Sequence, residues 1–196
     1  MSLFEKELYT EAMNFWPTTG KVILAQYDDQ GIWVYQAFNA AIACYAAEHK
    51  KFTGCSSYSP FRMSWIKPNF LWMQFRSGWG QKPNQERCLA IKLRRDFFND
   101  LVAKAVASNC NDSQKLQNSE VIVQWDPDHD PKGGKCERRA MQLGLRGETL
   151  AKMVSGEVVL DILDITEFVQ SQSQFAMDAT KWDQLLVAKE REYLVI

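Results

Sequence analysis

Residues 61–79, FRMSWIKPNFLWMQFRSGW, contain the side chains that would bind a phosphorylated ring. The segment has six large aromatic residues and no acid. A guanidinium group binds two phosphate oxygens at once, and an aromatic face stacks on a base. Pro68 is expected to begin a helix, whose free N–H groups would add to an anion site. The cations of the segment are therefore candidate ligand-binding residues: Arg62, Lys67 and Arg76.

Not every aromatic residue of this segment is expected to contact a ligand. Phe70 and Phe75 are interpreted as core residues of the predicted amphipathic helix. Trp65 and Trp79 are candidates for stacking on a ligand. A binding function is favoured for the cations, because charged groups so close to an apolar helix need a partner.

Charge is unevenly distributed along a chain that has 23 Lys and Arg against 24 Asp and Glu. Residues 50–95 contain ten bases and one acid, Glu86, so the flanking parts are acidic. This asymmetry is typical of a surface that meets phosphate or another polyanion. The alternative is a basic face that pairs with the protein's own acidic segments. Anion binding is the favoured interpretation.

A second polar cluster follows the strand predicted at residues 121–125: Asp126, Asp128, His129 and Asp130. These groups could hold a hard divalent ion or act in acid–base chemistry. The spacing lacks the glycine of a calcium loop, and an acidic turn with solvated charges is the favoured interpretation. If the cluster has a function, Asp126 is the best candidate, because it directly follows the strand and is held more rigidly than the loop.

Composition restricts the compartment and the metal chemistry. The five cysteines are widely spaced and include no CxxC pair, so neither a disulfide framework nor a zinc site is predicted, and no metal site is expected. No apolar run approaches the roughly 20 residues that span a bilayer, and acids stand where a secretory signal has bases. We expect an intracellular, cytoplasmic protein with no membrane partner; a nuclear location is also open.

The predicted elements mix strands and helices without a regular βαβ order, which favours the α+β class. We predict a single domain with a mixed, mostly antiparallel sheet and packed helices. The chain of 196 residues is divided into an N-terminal extension at residues 1–20, the domain itself at residues 21–170, and a C-terminal amphipathic helix packed on it at residues 171–196.

Local signals set the ends of several elements. Asn39 is predicted to cap a helix that begins at the next residue, and Gly78 to end the helix after Pro68. The strand from residue 121 is expected to stop before Pro127, with an exposed loop at residues 126–137. The terminal helix is predicted at residues 182–193.

Several motifs together resemble a known family. They are IWVYQAFNAAIA, RMSWIKPNFLWMQFRSGW followed by QER, VQWDPDHD, RAMQLGL and LDITEFV. By these motifs the chain is identified, over residues 26–169, as a member of the family called domain of unknown function 4291. The resemblance implies no settled activity. It does imply a set of matching residues that are not obviously core: Tyr35, Gln36, Asn39, Arg62, Trp65, Lys67, Arg76, Trp79, Gln85, Glu86, Asp126, Asp130 and Gln142.

The order of elements is similar to that of ADP-ribosyltransferase-like folds, in which three polar positions along the chain form the nucleotide site. By that analogy the three positions hold Tyr35 with Gln36, Ser64 with Trp65, and Gln142. The chain departs from the pattern in two ways. No His or Arg stands in the first strand, and Gln142 replaces the glutamate of active transferases.

These observations predict a nucleotide-binding enzyme, with a nucleotide-dependent transferase favoured, whose partner is a phosphorylated small molecule such as NAD or another nucleotide; the substrate and the acceptor are left open. The predicted catalytic residues are Arg62, Asp126 and Gln142. The predicted ligand-binding residues are Tyr35, Gln36, Asn39, Ser64, Trp65, Lys67, Arg76 and Trp79. The alternative is a non-catalytic module that binds single-stranded RNA or DNA. An enzyme would direct its arginines into one concave pocket, whereas a strand-binding module would spread them along an open groove.

Overall fold

The computed structural model describes residues 4–195, which form one α+β domain. In chain order its strands are β1 Lys6–Leu8, β2 Leu24–Ala25, β3 Gly31–Phe38, β4 Ser64–Ile66, β5 Arg87–Arg94, β6 Val106–Ala107, β7 Val121–His129, β8 Lys135–Leu145, β9 Val159–Asp164, β10 Leu186–Ala188 and β11 Arg191–Glu192. The helices of the described residues are α1 Tyr9–Ala12, α2 Ala40–His49, α3 Phe70–Ser77, α4 Arg95–Lys104, α5 Ser113–Asn118, α6 Gly147–Val154 and α7 Thr166–Ala176, followed by a 3-10 turn at Ala179–Lys181.

Two sheets form the centre of the domain. The first is antiparallel and has the spatial order β3-β5-β9. The second has the order β4-β8-β7-β6, in which β6 and β7 are parallel and the other pairs antiparallel. Two short antiparallel pairs, β1 with β10 and β2 with β11, bring both ends of the chain onto the domain. The predicted α+β class with mostly antiparallel pairing is confirmed.

The two sheets meet at a bridge between Tyr35 of β3 and Lys67, the residue after β4. The Tyr35 N–H donates to the Lys67 carbonyl at 2.7 Å, and the Lys67 N–H donates to the Tyr35 carbonyl at 3.2 Å. On either side of this bridge β3 pairs with β5 and β4 pairs with β8. The strands therefore separate beyond the bridge, and a cleft opens between the sheets.

Alternate residues of β3 face two hydrophobic clusters, as the two-residue period of a strand requires. Ile32 and Val34 pack into one cluster, and Trp33 and Tyr35 pack into the other. The second cluster includes Phe70 of α3, whose ring centroid lies 5.6 Å from that of Tyr35. Burial on both faces fixes β3 against α3, and residues of these two elements line part of the cleft.

The predicted cap of α2 at Asn39 and the predicted end of α3 at Gly78 are confirmed, but α3 begins at Phe70 and not at Pro68. Asn39 Oδ1 accepts a hydrogen bond from the Ile42 N–H at 3.1 Å, so Asn39 caps α2. Gly78 follows α3 with a φ of 60°, a left-handed conformation that favours glycine. Such signals are readable from the sequence because the interacting groups lie within one helical turn.

The terminal helix predicted at residues 182–193 is wrong. This segment contains β10 and β11, and Lys6 of β1 lies opposite Ala188 of β10. Val187 is fully buried in the second hydrophobic cluster. The extended conformation of this segment is stabilised by pairing with a strand from the opposite end of the chain. The periodicity of the segment itself does not indicate which strand that partner is. The proposed division of the chain at residues 20 and 170 stays a prediction.

The loop predicted at residues 126–137 is also wrong in extent. β7 continues through Pro127 to His129, and β8 already begins at Lys135. Proline is tolerated because β6 pairs with β7 only as far as Val123, so Pro127 lies on a free edge with an irregular register to its partner strand. The turn is thus short, and the acids that precede it belong to a strand.

Candidate functional site

A cavity of about 620 Å³ lies in the cleft where β3 and β4 separate. Its volume is within the range of small-molecule sites, roughly 300–1,000 Å³. Among the described residues that line it there are three cations and four glutamines but no acid. They are Gln36, Ala37, Phe38, Arg62, Met63, Ser64, Trp65, Lys67, Met73, Arg76, Gln85, Gln124 and Gln142.

Gln36 connects the two sheets at the bottom of the cleft. Its amide nitrogen donates to Ser64 Oγ at 2.8 Å and to the Trp65 carbonyl at 3.1 Å. Gln36 is buried on β3, so these bonds fix the separation of β3 from β4. The position of Trp65 at the cavity wall is therefore set by the first sheet as well as by its own.

Lys67 is the buried cation of the cavity, with 6% of its surface exposed. Within residues 4–195 no carboxylate lies within ion-pairing distance of its ammonium group, and the Trp65 carbonyl is 3.5 Å from Nζ. Burial, together with the positive charge of Arg76, lowers the pKa of Lys67 to about 8, although Asp126 acts in the opposite direction. An anion in the cavity would supply the missing counter-charge.

Arg62 and Arg76 flank Lys67 from two different elements. Arg62 precedes β4, and Arg76 lies in the last turn of α3. Both side chains are exposed, and neither guanidinium group has a hydrogen bond or ion pair within the described part of the chain. Their ten N–H donors are thus available to a ligand, five for each guanidinium group.

The opposite wall consists of amides on β7 and β8. Gln124 and Gln142 are directly opposite each other in the register of the two strands. The Gln142 amide nitrogen donates to Gln124 Oε1 at 2.7 Å and to Asp126 Oδ2 at 2.6 Å. Both N–H donors of Gln142 are engaged in these bonds, so its carbonyl oxygen is the group that it can offer to a ligand.

Gly144 of β8 leaves space for the Trp65 side chain. The two residues are paired in register, and a Cβ atom on Gly144 would lie 3.0 Å from the Trp65 ring and 2.6 Å from the Met63 sulfur. Only a residue without a side chain allows both to occupy their positions. The glycine in the LGL sequence of this strand, residues 143–145, therefore has a steric explanation.

Three of the predicted ligand-binding residues lie outside the cavity lining. Tyr35 is fully buried beside Phe70, and Asn39 caps α2. Trp79 is 3% exposed, and its indole N–H donates to the Pro131 carbonyl at 3.1 Å. These side chains support the framework of the site, and a direct contact with ligand stays a prediction for them.

The remaining predicted residues meet at the cavity or beside it. The lining includes the predicted residues Gln36, Arg62, Ser64, Trp65, Lys67, Arg76 and Gln142, and Asp126 is bonded to Gln142. Five residues of the lining are not predicted from the sequence: Ala37, Phe38, Met63, Met73 and Gln124. Gln124 had a signal, because it lies two residues before Asp126 and side chains at that spacing share one face of a strand.

Helix α3, which carries Met73 and Arg76, is held at its N-terminus by two polar side chains. Asn69 Oδ1 accepts from the Trp72 N–H at 2.6 Å, and Glu190 Oε1 accepts from the Phe70 N–H at 2.7 Å. Glu190 is fully buried, and this burial raises its pKa well above the usual value. The pKa of Glu190 therefore differs between the folded and the unfolded chain, so its protonation is coupled to folding.

Part of the basic segment pairs with the protein's own acids. Four of its ten bases make ion pairs, which lie away from the cavity lining. The pairs are Lys50–Asp161, Arg87–Asp164, Lys92–Asp28 and Arg94–Asp96. Self-pairing thus explains part of the charge asymmetry, and three of the six bases without an ion pair in the described residues line the cavity.

The acidic cluster after Trp125 is only partly solvated. Asp128 is buried and accepts from Arg138 Nε at 2.6 Å, and burial raises its pKa. His129 is buried with its ring 3.5 Å from that of Phe75, and burial lowers its pKa. Asp130 accepts from N–H groups of the turn. Residues 4–195 contain no group of three or more His, Cys, Asp or Glu placed to hold a metal ion.

The chain belongs to the family described as Domain of unknown function (DUF4291), whose model matches residues 22–193. The match extends the resemblance to β11 at the C-terminal end of the domain. A search of curated proteins finds no match. None of the helices described by the structure is both long and apolar enough to cross a membrane.

Proposed function

We propose that the cavity binds a phosphorylated nucleotide. The observation that carries this proposal is the unpaired, buried ammonium of Lys67 between two unpaired guanidinium groups. A buried charge without a partner is unfavourable, so its retention is explained by a ligand that neutralises it. Phosphate is the ligand that best matches guanidinium donors, which bind its oxygens in pairs.

The other side chains of the cavity favour a nucleotide over inorganic phosphate. Trp65 offers an aromatic face on which a base or nicotinamide ring stacks. The glutamines offer both donors and acceptors, which suit the hydroxyl and amide groups of a nucleoside. The volume of about 620 Å³ is larger than a phosphate ion needs.

We further propose that the protein is a nucleotide-dependent transferase, with NAD as one candidate nucleotide. The analogy with ADP-ribosyltransferase-like folds places Gln36, Ser64 and Gln142 at equivalent polar positions, and all three line one cavity. Arg62 would neutralise the phosphates, Gln142 would orient the ribose through its carbonyl oxygen, and Asp126 would act as the base that the missing glutamate does not provide.

The distribution of cations favours a pocket over the alternative strand-binding groove. A groove would draw on the other bases of residues 50–95, but Arg94 pairs with Asp96 beside a different cavity. Lys82 donates to the Arg76 carbonyl at 2.7 Å. Arg62, Lys67 and Arg76 instead converge within one strand-turn-helix unit.

A thermal-shift screen tests the proposal. Candidate ligands are AMP, ADP-ribose, NAD and a single-stranded oligonucleotide, with adenosine as the control that lacks phosphate. We expect stabilisation by the phosphorylated nucleotides and none by adenosine. Equal shifts with adenosine and AMP would contradict a phosphate site, and a shift with the oligonucleotide alone would favour the strand-binding alternative.

A further inference from the structure

A second cavity of about 400 Å³ lies along the edge of β7, beside the first. The edge is available because β6 pairs with β7 only as far as Val123. The cavity is lined by Lys21, Ala107, Ser108, Asn109, Val123, Gln124, Trp125, Asp126 and Arg139. It shares Gln124 with the first cavity, so the two spaces adjoin at the wall of amides.

The second cavity has its own cations and its own aromatic ring. Lys21 and Arg139 are exposed, and neither is ion-paired within residues 4–195. The Arg139 guanidinium donates to the Trp125 carbonyl at 3.1 Å, which fixes it at the rim, and Lys21 Nζ lies 5.9 Å from the centre of the Trp125 ring. Two cations beside an indole face again match a phosphate attached to a planar ring.

Asp126 distinguishes the second cavity from the first. It is the acid among the described lining residues of the second cavity, while the first has none. Its Oδ2 accepts the amide N–H of Gln142, a residue of the first cavity. The carboxylate is therefore held at the junction between the two spaces by the same amide that faces the first ligand.

We propose that the second cavity binds a second phosphorylated molecule and presents one of its hydroxyl groups to Asp126. This inference rests on the proposed function, because the first cavity then holds the nucleotide that donates a group. The second molecule is the acceptor, a phosphate monoester that carries a planar ring. Gln124 lines both cavities, and Gln142 lines the first and bonds Asp126 at the junction.

The group transfer that this arrangement allows needs no reactant besides the donor nucleotide, the acceptor and the Asp126 carboxylate. The acceptor's O–H bond breaks and its proton passes to the Asp126 carboxylate. The acceptor oxygen forms a bond to the electrophilic atom of the donor nucleotide, and the donor's leaving group departs with the electron pair of the bond that breaks. A leaving group that needs a proton receives the one held by Asp126.

The stoichiometry of AMP binding to the full chain, measured by calorimetry, tests the second site. AMP is used for both cavities because each is expected to take a phosphate with a planar ring. We expect two AMP molecules per chain in the wild type. Lys21→Glu and Arg139→Ala should each weaken one site by about tenfold or more and leave the other within about twofold. Arg62→Ala should affect only the other site.

Both variants of the second cavity change exposed side chains, so the fold should be retained, and circular dichroism checks this. One AMP per chain, lost in Arg62→Ala and unchanged in Lys21→Glu, would overturn the second site and leave the proposed function intact. No AMP binding at all would overturn both. Two sites that are both insensitive to Lys21→Glu and Arg139→Ala would also overturn the assignment.

Discussion

Lys67 links the stability of the free protein to the proposed ligand. Its pKa is lowered from 10.5 to about 8, which corresponds to about 3 kcal/mol of unfavourable free energy for the charged, folded state at pH 7. Lys67→Met removes the charge and keeps an unbranched side chain. We therefore expect the variant to be more stable than the wild type by about 1 to 3 kcal/mol in urea unfolding at pH 7.

The control for this prediction is Lys51→Met, since Lys51 is exposed. Its effect on unfolding should be within about 0.5 kcal/mol. The same Lys67→Met protein should lose the AMP site of the first cavity, which calorimetry detects as one bound AMP fewer per chain. A variant that is less stable than the wild type and binds as many AMP molecules would show that Lys67 has a structural role only.

The pH dependence of nucleotide affinity provides a second test at this residue. The folded-state pKa of Lys67 is about 8, so the free protein loses the positive charge as the pH rises through that value. We expect AMP affinity to fall between about pH 7 and 9.5, a range in which the phosphate is already fully ionised. Lys67→Arg, which keeps its charge, should give a flat profile. A flat wild-type profile would contradict contact between the phosphate and Lys67.

The cavity residues could be predicted from the sequence to different degrees. Arg62, Lys67 and Arg76 were identifiable because a long run without acids leaves cations without local partners. The sequence predicts Tyr35 and Trp79 as ligand contacts because a polar atom on an aromatic ring looks the same in sequence whether it is buried or exposed. Their burial depends on α3 and on the turn at Pro131, which are brought near by the fold.

At the level of elements, the buried Glu190 at the N-terminus of α3 makes the free energy of unfolding depend on pH. Burial raises the folded-state pKa of Glu190 above its unfolded value, so the folded state is favoured at low pH and loses that stabilisation as the pH rises above about 4.5. Glu190→Gln retains a carbonyl oxygen for the Phe70 N–H. We expect this variant to be more stable than the wild type at pH 7, with the difference vanishing towards pH 4.

The matched control is Glu192→Gln, because Glu192 is an exposed acid on the neighbouring strand β11. It should change the unfolding free energy little at either pH. Unfolding in urea at a series of pH values measures both variants. If Glu190→Gln is the less stable protein at pH 7, ionised Glu190 must be stabilised by its surroundings, contrary to this account.

The pairing of β4 with β8 predicts a steric test of the cavity. In Gly144→Ala the added methyl group would collide with the Met63 sulfur and the Trp65 ring, so the wall of the cavity must move. We expect AMP affinity to fall by about tenfold while circular dichroism shows a folded protein. Met63→Ala in the same chain should restore part of the affinity by making room. Unchanged binding in Gly144→Ala would place the ligand elsewhere.

Elements with local signals were predictable, and elements decided by distant partners were not. The cap at Asn39 and the end of α3 at Gly78 depend on neighbours within one turn. The conformation of residues 182–193 depends on pairing with β1, and the path of β7 through Pro127 depends on β6 ending early. Neither partner can be identified from the periodicity of the segment itself.

For the whole molecule, the distribution of charge is the central feature. The chain is nearly neutral, and several bases of its central segment pair with acids from other parts of the sequence, as between Arg87 and Asp164 or Lys92 and Asp28. The cations left unpaired at the cavity are clustered where the two sheets separate. The clustering of bases along the sequence predicts an anion site, but the ion pairs of the folded chain decide which of these bases remain free.

The most direct test of the central claim is the salt-dependent affinity for AMP of three single variants: Arg62→Ala, Lys82→Ala and Arg94→Ala. We predict that Arg62→Ala loses about 2 to 5 kcal/mol of AMP binding free energy at the first cavity, because a charge-assisted phosphate contact is removed. Lys82 and Arg94 lie outside the cavity lining, so their variants should bind like the wild type. Similar modest losses in all three variants, each lowering the salt slope by roughly one unit, would contradict the pocket and indicate an open nucleic-acid-binding surface.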